Sequence, residues 1–236
     1  IGLGIPAEPL FRSSYSTKAG NSQYRDKMKR FLNILFLACI SMTVSAQQFW
    51  LGADIRGTTD MEARGVQLRN SKGEPRECTA LMRELGLNAV RLRVWVNPKD
   101  GLCSKDDVVR MAKRAKDWGM ALMIDFHYSD WWADPGQQNI PEAWKKMTFE
   151  EMKQALADHT REVLQAIKHV GVDVQWVQVG NETTNGFLWP MGRAHDNMRQ
   201  YAGLTDAGYM AVKQVFPKAN VIVHLDGAYD PKRYIA

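Results

Sequence analysis

The sequence predicts an α/β fold of the (β/α)8 TIM-barrel type, of which residues 47–236 supply roughly the first five β/α units. Three observations lead there. Apolar, strand-like runs alternate strictly with amphipathic stretches closed by glycine, so each helix is the crossover that returns the chain and consecutive strands pair in parallel. No glycine-rich phosphate loop follows the first strand, as a nucleotide-binding open sheet would often show. The five units occupy residues 47–236 with no helix after the fifth strand; at that spacing eight units need roughly 300 residues, within the range of such barrels. An open doubly wound sheet, complete with five strands, is the competing architecture.

The elements follow in order. "FWLGADI" from Phe49 is the first strand. A helix opens near Pro75 and ends at Gly86, with proline at its start and glycine past its end. "AVRLRVWV" is the second strand, and Ser104 caps a helix that stops at Gly119. "ALMIDFHY" is the third. Thr148 and Glu151 form a capping-box pattern opening the longest helix, whose Phe149, Met152, Leu156, Val163, Ile167 and Val170 keep the spacing of one buried face up to Gly171. "VDVQWVQVG" is the fourth strand, a helix through "YAGLTDAGYMAVKQVF" stops at Pro217, and "NVIVHLD" is the fifth.

Composition narrows the class. A hydrophobic fraction of 45% and a charged fraction of 24% suit a globular protein and exclude disorder or collagen-like repeats. Six of the 31 Lys and Arg and two of the 26 Asp and Glu precede residue 47, which leaves 25 against 24. That near-neutral remainder lacks the electrostatic footprint of a nucleic-acid binder. From Met28, "MKRFLNILFLACISMTVSA" sets two basic residues before an apolar stretch and a small-residue cleavage site at Val44-Ser45-Ala46. Residues 28–46 therefore read as an export signal leading to the periplasm or the exterior, too short for stable membrane insertion. Residues 1–27, upstream of that signal, read as a spurious extension of the translation start. Cys39 leaves lipid attachment as a minor reading, and Cys78 and Cys103 either pair or remain buried thiols.

Barrel chemistry sits at the C-terminal ends of the strands. The second strand carries Arg91, Arg93 and Trp95 on one face by its period of two. The third ends in Asp125, His127 and Asp130, followed by Trp131, Trp132 and Asp134; the fourth ends in Asn181 and Glu182, with Trp189 beyond; the fifth offers His224, Asp226, Tyr229 and Asp230. Carboxylates, histidines, an arginine and loop tryptophans around one opening suit a carbohydrate, whose C–H faces stack on aromatic rings and whose hydroxyls need polar partners. Arg91 inside a strand is the least ordinary of them, because a buried guanidinium needs a carboxylate partner.

"VRLRVWVNPKDG", "DFHYSDWWADPGQQ", "QVGNETTNGFLWP" and "HLDGAYD" closely resemble the family 53 glycoside hydrolases, endo-β-1,4-galactanases that cut the galactan side chains of pectin. The resemblance covers residues 49–231. It implies a retaining mechanism on β-1,4-galactan with Glu182 as general acid/base, Asn181 bonding the sugar 2-hydroxyl and Arg91 orienting the nucleophile. His127, Trp95, Trp132, His224 and Asp226 match positions that line the substrate cleft. Two departures concern the cleft's fine shape: Trp131 stands where a small polar residue is common, and Gly227-Ala228-Tyr229 replaces the more usual Asn-Gly-Trp. The family's nucleophile is a Glu at the end of the seventh strand. The chain is accordingly expected to be an N-terminal portion of a galactanase, poorly folded and without measurable activity by itself. An inactive carbohydrate-binding fragment, or a hydrolase of another β-linked glycan, are the competing readings. No organic cofactor is implied, since acid/base and covalent catalysis use side chains alone. The calcium site of some bacterial relatives involves later loops and is not carried over. The expected partner is the polysaccharide, bound by a monomer.

Overall fold

The structure, a computed structural model, describes residues 24–32, 48–227 and 229. Residues 24–32 form a helix, α1, with exposed side chains, in a unit separate from the one spanning Trp50–Ala236. The expected upstream extension (1–27) and export signal (28–46) lie mostly outside the described residues. No described helix is long and apolar enough to cross a membrane.

The second unit alternates strand and helix: β1 (Gly52–Asp54), α2 (Thr58–Ala63), α3 (Cys78–Glu84), β2 (Ala89–Val94), α4 (Lys105–Asp117), β3 (Ala121–Phe126), α5 (Phe149–His169), β4 (Trp176–Val179), α6 (Ala194–Val215) and β5 (Asn220–Ile222). All four neighbouring strand pairs are parallel, in the order β1-β2-β3-β4-β5. A doubly wound sheet reverses its strand order at a switch point; this one never does, which is the succession of a barrel wall.

Local chemistry explains most boundaries. Ser104 caps α4 by accepting the Asp107 N–H, and Thr148 with Glu151 forms the expected capping box on α5. Gly86, Gly119 and Gly171 follow their helices at positive φ. Two boundaries differ from the sequence reading. α3 starts at Cys78, because Pro75 is engaged in a bridge with Arg69 and the Glu77 carboxylate instead caps the Thr79 and Ala80 N–H groups. α6 starts at Ala194, well before Tyr201, because a short helical turn joins it across the non-helical Asn197. Cys78 and Cys103 are both buried, free thiols.

The core lies between the sheet and its helices. Leu92, Ile124 and Val177 share one register row and are buried with Met111 and Ala115 of α4, Leu156 and Val163 of α5 and Val212 of α6. The opposite face carries Arg91, Met123 and Trp176 in one row and Arg93, Asp125 and Gln178 in the next. Period-two alternation thus sends apolar side chains to the helices and polar ones inward.

Two predictions arise from this packing. Gly208 of α6 crosses β4 so closely that a Cβ there would lie 2.6 Å from Val179 Cγ1 and 3.2 Å from Tyr128 Oη. In an open helix Gly→Ala stabilises by about 1 kcal/mol; here Val179 is fully buried and stiff at χ1, so overpacking wins. Gly208→Ala should lower the free energy of urea unfolding by about 1–3 kcal/mol. His159 sits among Phe126, Tyr128 and Trp144 with its Nε2 buried and without a hydrogen-bond partner among the described residues. Burial pushes its pKa down from 6.5 to about 4, against the opposing pull of Glu162. The unfolded chain therefore takes up the proton first as pH falls. The stabilisation is complete above pH 6.5 and disappears progressively toward pH 4. His159→Phe should remove this dependence, so the stability of His159→Phe minus that of the parent should rise by roughly 2.5 kcal/mol between pH 7.5 and 4.5. Parallel urea titrations at the two pH values check it.

Candidate active site

β1–β4 bring one polar residue each to two adjacent rows of the inner face, and these build the floor of the site. Asp54 pairs in register with Arg91 across β1 and β2, and Asp125 lies beside Gln178 across β3 and β4. Arg91 Nη1 donates to Asp54 Oδ2 at 2.6 Å and Nη2 to Asn181 Oδ1 at 2.9 Å. Nη2 also lies 2.6 Å from Asp125 Oδ2. One guanidinium therefore holds two carboxylates and the Asn181 amide, a division of labour that its planar fork permits and a lysine's point charge does not.

Asp125 is fully buried and takes further bonds from Gln178 Nε2 and His127 Nε2. His127 Nδ1 accepts the Ala133 N–H at 3.0 Å, so the ring proton resides on Nε2 and points at Asp125. Burial pushes the His127 pKa down, against the pull of Asp125, and the imidazole stays neutral. The Ala133 peptide serves the site twice, since its carbonyl accepts Asn181 Nδ2 at 2.7 Å. This orients the amide: Oδ1 faces the guanidinium, and one Nδ2 proton remains for a ligand.

The turn after β4 lifts Glu182 above this floor. Gly180 has φ +84°, and a Cβ there would come within 2.5 Å of Thr183 Cγ2, so glycine is required. Glu182 itself has φ +52°, a conformation that costs a non-glycine residue about 1–3 kcal/mol and persists only where its surroundings fix it. They do so on both sides. Gln138 Nε2 donates to the Asn181 and Glu182 carbonyls at 2.8 and 3.3 Å, and the Thr183 N–H donates to the His224 carbonyl at 2.7 Å. His224 Nδ1 lies 3.0 Å from Asn181 Oδ1 and 3.2 Å from the Glu182 N. The Glu182 carboxylate makes no hydrogen bond or ion pair among the described residues and is half-buried.

The aromatic wall stands beside this floor. Trp132 meets the His127 ring edge-on at 6.0 Å and Trp95 at 6.2 Å, and Arg93 lies between them, 3.7 Å from the Trp132 centroid and 4.3 Å from that of Trp95. Trp95 is buried, so it supports the wall and Trp132 presents it. Of the residues expected from the sequence, Arg91, His127, Asn181, Glu182, His224, Trp95 and Trp132 converge. Asp226 is tied to the turn that carries Glu182, its backbone N–H bonded to Thr184 Oγ1. Asp54 and Gln178 were not anticipated; their signal was the register that sets each beside a charged residue on the next strand.

The chain resembles known proteins throughout this unit. Residues 50–236 match the model of glycosyl hydrolase family 53. A probable arabinogalactan endo-beta-1,4-galactanase A of Aspergillus fumigatus is 36% identical, over 84% of this chain and 56% of the relative. A solved fungal beta-1,4-galactanase superposes with a TM-score of 0.75 at 35% identity, over 78% of this chain and 56% of the other. The family 53 catalytic domain of Ignisphaera aggregans superposes equally well, at 35% identity over 79% of this chain and 54% of the other. The chain thus spans a little over half the length of these relatives.

Proposed function

Given that the chain belongs to glycosyl hydrolase family 53, we propose that residues 50–236 carry the proton-donating half of the catalytic site of an exported endo-β-1,4-galactanase acting with retention. The observation that carries this reading is the Glu182 carboxylate, unpaired among the described residues and held at positive φ above the Asn181–Arg91–Asp125–His127 network, at the C-terminal ends of parallel strands. A retaining glycosidase needs a carboxylic acid to protonate the leaving oxygen and a carboxylate about 5–5.5 Å away to attack the anomeric carbon. Glu182 suits the first role, because a proton donor must face the ligand and not a structural partner. The remaining Nδ2 proton of Asn181 suits the sugar 2-hydroxyl, a bond that strengthens in the transition state. Trp132, beside His127, suits a wall against which a galactose ring would pack.

The second carboxylate belongs to the seventh strand by family resemblance, so residues 1–236 expressed alone are expected not to turn over galactan. Grafting residues 50–236 in place of the matching part of a fungal β-1,4-galactanase supplies that strand. The graft should release oligosaccharides from β-1,4-galactan, with the β anomer formed first, and leave xylan and mannan intact. Cleavage of mannan or xylan in preference to galactan would overturn the substrate, and formation of the α anomer first would overturn the mechanism.

A further inference from the structure

The aromatic wall continues past the floor of the site. Ring contacts run from His127 to Trp132, from Trp132 to Trp95 and from Trp95 to Trp131. The inner rings are engaged by cations: Arg56 and Arg93 lie 4.6 and 3.7 Å from the Trp132 centroid, and Trp95 is buried with Arg93 against it. Trp131 differs. It is 54% exposed, its ring is backed by Trp95 at 4.7 Å with a tilt of 32°, and no cation or further ring lies against it among the described residues. Its backbone is fixed as well. The Trp131 N–H donates to Ser129 Oγ at 3.3 Å, the Ser129 carbonyl accepts the Val96 N–H at 2.9 Å, and Asp130 Oδ2 accepts the Glu142 N–H at 2.8 Å. A ring held from behind and at its base costs little further ordering when a ligand stacks on it.

Trp131 and Asp100 line two cavities at once, one of about 430 Å³ that reaches Asp54 of the floor and one of about 380 Å³ that adds Asn97, Lys99, Asp130 and Glu142. Both volumes suit small ligands. The groups around the ring are polar without a surplus of positive charge. The first cavity sets three arginines against three aspartates; in the second, Glu142 is paired with Lys145, which leaves Lys99 to face Asp100 and Asp130. Asn97 and Lys99 are exposed and make no side-chain hydrogen bond or ion pair among the described residues, and Asp100 uses only Oδ1, on the Leu102 N–H. Free donors and acceptors beside an open aromatic face match the hydroxyls and the C–H face of a neutral sugar. They offer an anionic one no net attraction.

We propose that Trp131 is the platform of a distal subsite for a neutral galactosyl unit, two ring contacts beyond Trp132, so that the protein selects galactan chains long enough to reach from Glu182 to this ring. The proposal rests on the galactan reading above and adds a length requirement that the floor residues by themselves do not impose.

The test measures binding of β-1,4-galacto-oligosaccharides of increasing length, by titration calorimetry on the galactanase graft carrying Glu182→Gln to prevent turnover. Affinity should rise roughly tenfold at one step of lengthening, the step at which a sugar first reaches Trp131, and added salt should leave that step in place, since the ligand is uncharged. Trp131→Ala should remove the step while shorter chains bind as before, which also shows that the variant is folded. Trp131→Phe, which keeps a ring, should retain most of it. A loss of equal size at every length would make Trp131 a support for Trp95 and overturn the subsite. No loss at any length overturns it as well, and both results leave the galactan reading standing. Xylo- or manno-oligosaccharides that bind with a Trp131-dependent step, where galacto-oligosaccharides do not bind, keep the platform and sink the galactan reading. Binding of none of the three series sinks both.

Discussion

Glu182→Gln in the galactanase graft should lower kcat on β-1,4-galactan by about 10²–10⁴-fold, the usual contribution of a positioned general acid, with little change in KM. The amide keeps the size and the hydrogen-bonding reach of the side chain and loses only the proton. A diagnostic split follows from the chemistry. A galactoside with a good leaving group, such as a dinitrophenolate, departs without protonation, so its first bond cleavage should be far less affected than that of the polymer. Turnover of such a substrate should then stall at the glycosyl-enzyme stage, where the same residue acts as base, and show a burst. Small anions such as azide, which need no base, should restore its release. Equal losses on both substrates, with no burst and no rescue, would assign Glu182 to positioning and leave the proton donor elsewhere.

Arg91→Met should be the most destabilising single change in the sheet, at about 3–5 kcal/mol by urea unfolding, the cost of removing one partner from a buried ion pair. Arg91 touches Asp54, Asp125 and Asn181, and Asp125 has no solvent to fall back on. His127 and Gln178 still donate to Asp125 after the change, but neither carries a full positive charge. Combining Arg91→Met with Asp125→Asn removes the stranded charge, so the double variant should lose less than the two single losses added together. A single loss below about 1 kcal/mol, the scale of an exposed pair, would mean that the network is solvated and that Arg91 serves binding alone.

Much of this was legible before any coordinates. Capping chemistry at Ser104 and Thr148 and the glycines at 119 and 171 place helix ends from local rules alone. Asn181 and Glu182 stand out because they terminate a strand at the catalytic end of a barrel. α2 was missed because six residues, "TTDMEA", hold too short a pattern to show a period and have no side-chain cap. The start of α3 was misplaced because proline at a helix start and proline in a bridge look alike in sequence; only Glu77, with its two backbone donors, separates them. Asp54 and Gln178 escaped for a different reason. Each is unremarkable in its own strand and acquires meaning through the neighbour opposite, a relation that exists only once the register is known.

That row of polar side chains has a consequence for assembly of the sheet. Parallel strands joined by helices have no tight turn to set how far one slides past the next, and an apolar face tolerates a shift by two residues, which keeps the pattern of alternation. Charge does not. Sliding β2 two positions forward would set Arg91 opposite Asp125 but leave Asp54 beside Ala89, without its guanidinium. The residues that suit catalysis thus also favour one alignment of the wall.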